Sequence, residues 1–75
     1  MTLDEAIQVL SVKHKLDGYY ASQTMSLSPS EVAMLENVAN ANGYGRTNWW
    51  CGSCAVSRLQ EMMADAQESR ARLST

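Results

Sequence analysis

Two cysteines, Cys51 and Cys54, have the clearest capacity for chemistry among the side chains of this 75-residue sequence. Their spacing places both thiols on one face of a helix, in its first turn. The unpaired amides and the positive end of the helix dipole there favour a thiolate at Cys51 and lower its pKa. Cys54 would then lie close enough to close a disulfide onto Cys51. The pattern therefore predicts a disulfide or thiol pair.

The run Trp50-Cys51-Gly52-Ser53-Cys54 resembles the redox-active motif of thioredoxins, with Ser53 where that family carries Pro. Thioredoxins place the pair after a β-strand, whereas residues 43–49 contain two Gly, an Arg and an Asn and show no strand pattern. The one proline, Pro29, stands at a predicted helix start, so the cis-proline loop of that family has no counterpart. We interpret the five-residue resemblance as coincidental and predict that the protein is not an enzyme and has no catalytic residues.

Other roles for the two cysteines stay open. Both could be small apolar residues that face the core, because free cysteine is among the most buried residue types. The pair also supplies half of a tetrahedral zinc site, which His14 or the thiols of a second copy could extend. His14 lies between Lys13 and Lys15, a setting typical of a solvated helix end. We predict no metal site within one chain and no cofactor.

Two tryptophans precede the cysteine pair. Consecutive residues of a helix point about 100° apart, so Trp49 and Trp50 cannot both fill one small core, and we expect one of them to be exposed. An exposed tryptophan beside Tyr44 and Arg46 has the composition of a binding hot spot. We therefore predict a protein-binding surface made of Tyr44, Arg46, Trp49 and Trp50; the alternative is a hydrophobic cap that closes the end of the bundle.

Local signals predict the two shorter helices, over about 3–16 and 29–42. Thr2 and Glu5 form a capping box at the first start, and Gly18 is a plausible stop. Ser28 and Glu31 form a second capping box around a proline at the first helical position.

A third, longer helix is predicted over about 49–72, after a tight connection capped by Thr47 or Asn48. Apolar residues recur along it every three or four positions. This predicted apolar face consists of Cys51, Cys54, Ala55, Leu59, Met62 and Ala66.

Composition agrees with these helices. The sequence has no Phe, one Pro and four Gly, and its strand-forming residues never alternate over a useful length. We predict a single all-α domain spanning residues 1–75, a small three-helix bundle with a longer C-terminal helix.

A helix that opens Leu27-Ser28-Pro29-Ser30-Glu31, the turn Asn42-Gly43 and the pair Cys51-Gly52-Ser53-Cys54 together form a pattern within residues 27–66. This pattern resembles small proteins encoded by tailed bacteriophages. The resemblance implies an accessory or virion-associated factor rather than an enzyme, and it favours a role in protein–protein interaction.

The charge balance limits the classes of partner. Six Lys and Arg against eight Asp and Glu give a net charge of −2, which disfavours a dominant phosphate-binding surface. A helix-turn-helix DNA-binding module, with Arg46 and Arg58 as its nearby cations, is therefore a minor alternative. No apolar stretch approaches the length of a membrane span. We expect a cytoplasmic protein, located in the host cytoplasm or the virion if the origin is a phage. We expect it to bind another protein or copies of itself. The alternative function is thiol redox chemistry or a zinc site shared between copies.

Overall fold

A computed structural model describes residues 1–24 and 26–73 of the chain, and these residues fold as an all-α protein. The predicted three-helix architecture with a longer C-terminal helix is confirmed, except that the first helix is broken into two segments. The helices are α1 (Leu3–Leu10), α2 (Lys13–Ser22), α3 (Pro29–Ala41) and α4 (Gly52–Leu73). Among the described residues, no helix has the length and apolar content that crossing a membrane requires.

The first predicted helix, residues 3–16, is interrupted after Leu10 and then continues past its predicted end. The Ser11 hydroxyl donates a hydrogen bond to the Gln8 carbonyl, and Val12 donates its amide three residues back, to Val9. Such side-chain and short-range bonds compete with the regular helical ladder. The expectation that Gly18 ends the helix is wrong, since α2 runs through it to Ser22.

Both predicted capping boxes are present. The Thr2 hydroxyl accepts the Glu5 amide, and the Glu5 carboxylate accepts the Thr2 amide. Ser28 and Glu31 make the same reciprocal pair at the start of α3. Each pair satisfies two amides that the helix itself leaves unpaired. The first and third helices therefore begin where the local sequence predicts.

The hydrophobic core is centred where α1 packs against α4, with α3 packed on α1 and α2 on α4. Leu35 of α3 and Leu59 and Met62 of α4 are completely buried. Burial of a side chain of this size contributes about 1.5–3 kcal/mol. The buried apolar residues are Ala6, Val9, Val12, Leu16, Val32, Leu35, Val38, Ala39, Trp49, Ala55, Val56, Leu59, Met62, Met63 and Ala66.

Candidate functional site: a dithiol beside an exposed tryptophan

The segment between α3 and α4, residues 42–51, carries most of the predicted site residues, and we call it the connector. The predicted start of the last helix at residue 49 is wrong, because α4 begins at Gly52. Before it, Asn48 forms a turn: its side-chain oxygen accepts the Trp50 amide at 3.1 Å, and its carbonyl accepts the Cys51 amide at 3.1 Å. Both tryptophans therefore belong to a turn held by Asn48 rather than to α4.

Cys51 and Cys54 lie at the start of α4 with their Sγ atoms 2.6 Å apart, and both thiols are free. The carbonyl of Cys51 accepts the first helical hydrogen bond of α4, from Ala55 at 2.8 Å. Cys51 therefore occupies the capping position of the helix, and Cys54 lies in its first turn. The structure brings the two thiols into direct contact.

Neither cysteine lies on the buried face of α4, which corrects the assignment of both Cys51 and Cys54 to its apolar face. Cys51 is half-buried and Cys54 is exposed, and the buried face begins with Ala55. Cys54 shares a helical stripe with Arg58, which is half-buried, and with Glu61, which is exposed. The thiol pair is therefore open to reagents in solution instead of filling the core.

The contact between the thiols makes their acidities unequal. The Cys54 thiol donates a hydrogen bond to the Cys51 sulfur, and this bond is the largest cause that lowers the pKa of Cys51 to about 7. The hydroxyl of Ser53, 3.6 Å from the sulfur, and the backbone amide of Cys54 lower this pKa further. The same contact raises the pKa of Cys54, because its proton is held by Cys51. At pH 7 about half of the molecules therefore carry a thiolate at Cys51 while Cys54 keeps its proton.

The two tryptophans have opposite environments, in agreement with the prediction that one of them is exposed. Trp50 is 73% exposed, whereas Trp49 is 5% exposed and packs into the core. The indole nitrogen of Trp49 is buried and has no hydrogen-bond partner among the described residues. Ser26 and Leu27 face the two tryptophans across a shallow cleft. Trp50 is the member of the pair that a partner can reach.

Tyr44 anchors the connector instead of forming part of an open surface. Its hydroxyl donates a hydrogen bond to the Asp65 carboxylate at 2.9 Å. Burial, followed by the hydrogen bond and the charge of Asp65, raises the pKa of Tyr44 to about 12. The guanidinium of Arg58 lies 5.5 Å from the centre of the Tyr44 ring and also donates to Thr47 at 2.9 Å. These bonds tie the connector to α4.

The predicted four-residue surface is therefore divided. Arg46 and Trp50 point outward and are exposed, while Tyr44 is half-buried and Trp49 is in the core. No hydrogen bond or ion pair of Arg46 occurs within residues 1–24 and 26–73. Of the six predicted site residues, Arg46, Trp50 and Cys54 are exposed, and we call these three the Trp50 surface.

Sequence reasoning missed two contributors to this region. Asp65 lies 21 residues from Tyr44 and holds it from the middle of α4, a separation that leaves no local sequence signal. Lys15 of α2 donates to the carbonyl of Ser26 at 2.7 Å and pairs with Glu31 at 3.6 Å, which positions one wall of the cleft. The capping motif predicts the role of Glu31 at the start of α3, but not its pairing with Lys15 of α2.

The geometry also bears on the metal and DNA hypotheses. The part of the chain that the structure describes holds no group of three or more potential metal ligands, so four thiolates around zinc would require two copies.

Arg58, one of two cations near the start of α4, already pairs with Glu61 at 2.9 Å and stacks on Tyr44. Because its guanidinium already has these partners, Arg58 is a poorer candidate for contact with DNA phosphates.

Comparison with known protein families, with curated proteins and with solved structures found no match to this chain. The resemblance to small bacteriophage proteins therefore stays a prediction.

Proposed function

We propose that this protein is a protein-binding and assembly module whose contact surface is centred on Trp50. The observation that carries the proposal is the 73% exposure of the Trp50 side chain. A tryptophan offers 150–250 Å² of mostly apolar surface, and leaving it in water forgoes a large gain from burial. Tryptophan and arginine are also the residues most enriched at the energetic centres of protein interfaces. Trp50 and Arg46 are exposed residues of these two types.

The connector presents Trp50 in a defined position, which favours binding. Asn48 holds the backbone of the turn, and Thr47 and Tyr44 attach the connector to α4. Binding a partner to an anchored surface costs less ordering entropy than binding to a free loop, about 0.5–1.5 kcal/mol for each side chain that need not be immobilised.

The chemistry of the surface favours a second copy of the chain as the partner. Arg46 is a cation without a partner among the described residues, and Trp50 offers an open aromatic face. A guanidinium over an indole is a favourable cation–π contact. In a two-fold symmetric dimer such a contact would occur twice, with each Arg46 over the Trp50 of the other copy. The resemblance to accessory and virion-associated phage proteins also favours an assembly role.

Sedimentation velocity over a concentration series tests this proposal, with reductant and a chelator present so that neither a disulfide nor zinc links the copies. We expect the wild type to associate with rising concentration. Trp50→Ala should stay monomeric with an unchanged helical circular dichroism spectrum, and Arg46→Ala should associate more weakly. Ile7→Ala is the matched control, because Ile7 is a 52% exposed apolar residue of α1 outside the Trp50 surface.

Two results would contradict the proposal. The first is a wild-type protein that stays monomeric at all concentrations. The second is a Trp50→Ala variant that associates as strongly as the wild type, particularly if Ile7→Ala abolishes association. The latter pattern would place the contact on α1.

A further inference from the structure

We infer that Cys51 and Cys54 form a thiol–disulfide exchange site for low-molecular-weight disulfides, with Cys51 as the attacking thiol and Cys54 as the resolving thiol. This chemistry is additional to binding through Trp50 and does not depend on it. Three features of the structure support the inference: the access of solvent to both sulfurs, the contact between them, and the position of Cys51 at a helix start.

Access and proximity are both provided by the position of the pair. Cys54 is exposed and Cys51 is half-buried, so a small disulfide can reach the pair without unfolding of the core. The 2.6 Å between the sulfurs means that each thiol is the nearest reactive group to the other. A bond that forms at Cys51 is therefore immediately open to attack by Cys54. Buried structural cysteines are inert because they lack this access.

The roles of the two sulfurs differ because their hydrogen bonds differ. Cys51 accepts hydrogen bonds from the Cys54 thiol and from Ser53, and it caps the positive end of α4. These donors stabilise a thiolate on Cys51, whose pKa is lowered to about 7. An attacking thiol works best when its pKa lies near the ambient pH, since a lower pKa also lowers nucleophilicity. Cys54 keeps its proton until Cys51 has reacted.

The exchange proceeds in two balanced steps. The Cys51 thiolate attacks one sulfur of a small disulfide, forms a mixed disulfide and releases one small thiolate, which takes a proton from solvent. Once Cys51 is no longer an anion, Cys54 gives its proton to solvent and attacks the Cys51 sulfur. This second step forms the Cys51–Cys54 disulfide and releases the second small thiol. Both released small thiolates take their protons from solvent. Counted from the dithiol, whose Cys51 proton entered solvent when the thiolate formed, the protein pair loses two electrons and two protons, and the small disulfide gains them.

Glutathione disulfide is the probe for this inference. The reduced protein, freed of reductant, is mixed with the probe at pH 7, quenched with acid and followed by mass spectrometry. We expect the wild type to lose two hydrogen atoms with little mixed disulfide accumulating. Cys54→Ser should accumulate a stable glutathione adduct on Cys51, because it lacks the resolving thiol and keeps a hydroxyl donor. Cys51→Ser should react more slowly than Cys54→Ser, by roughly three- to fivefold.

Ser57→Ala serves as the control, since Ser57 is an exposed hydroxyl one turn further along α4; it should react as the wild type does. Circular dichroism of each variant shows whether the fold is kept. Three results would overturn the inference: a stable glutathione adduct on the wild type, equal reaction rates of the two cysteine variants, or wild-type thiols that react no faster than those of the urea-unfolded protein. Isolation as a zinc-bridged dimer with thiols protected from the probe would also overturn it.

Discussion

The two adjacent tryptophans provide the most direct test of the structure, because they should respond oppositely to the same substitution. Trp49 is 5% exposed and Trp50 is 73% exposed. Truncation of a buried tryptophan to alanine costs about 3–5 kcal/mol. Truncation of an exposed side chain usually changes stability by no more than about 0.5 kcal/mol.

One feature of Trp49 reduces the expected cost. Its buried indole nitrogen has no hydrogen-bond partner among the described residues, and an unsatisfied buried donor destabilises the fold by about 1–3 kcal/mol. Trp49→Ala removes that penalty, about 2 kcal/mol at mid-range, together with the packing, so we expect a net loss of about 1–3 kcal/mol. Trp49→Phe removes the nitrogen but keeps an aromatic ring, and its loss should be smaller, about 1 kcal/mol or less.

Urea unfolding followed by far-ultraviolet circular dichroism, with reductant present, measures these differences. Whole-domain stability is about 0.05–0.15 kcal/mol per residue, so Trp49→Ala should remove a large part of it. Each kcal/mol should also lower Tm by about 4–8 °C in a domain of this size. The reasoning is refuted if Trp50→Ala destabilises as much as Trp49→Ala, or if Trp49→Ala stays within about 1 kcal/mol of the wild type.

Two further predictions concern anchors and caps. Tyr44→Phe should lower the free energy of unfolding by about 1–2 kcal/mol, because the hydrogen bond to Asp65 is lost. The stability of the wild type should also fall as the pH rises from about 10 to about 12, since only the unfolded tyrosine is ionised in that range. An equal fall with pH in Tyr44→Phe would contradict this assignment of the pH dependence to Tyr44. Ser28→Ala should cost about 1 kcal/mol in urea unfolding. The backbone amide of residue 28, the largest cause that lowers the pKa of Glu31, is kept in this variant. Both proteins should therefore lose stability alike as the pH falls through that lowered pKa, and a variant much less sensitive to acid than the wild type would contradict this.

Local motifs were sufficient to predict where α1 and α3 begin. A capping box involves two side chains and two amides within four residues, so its hydrogen bonds depend little on the rest of the chain. The Cys51 and Cys54 spacing is similarly local, since residues three apart meet in any helical turn. The all-α class followed from composition and periodicity for the same reason.

The tertiary structure decided what local patterns leave undetermined. Apolar spacing does not determine which of two adjacent tryptophans enters the core. In the folded protein Trp49 is part of the hydrophobic core and Trp50 lies in solvent. The contact of Tyr44 with Asp65 joins residues far apart in sequence and turns a predicted binding residue into an anchor. Ala55 and Leu59 of α4 are completely buried, and this rotation of the helix leaves Cys54 exposed. These outcomes depend on long-range packing, because burial is a property of the assembled core and not of any single segment.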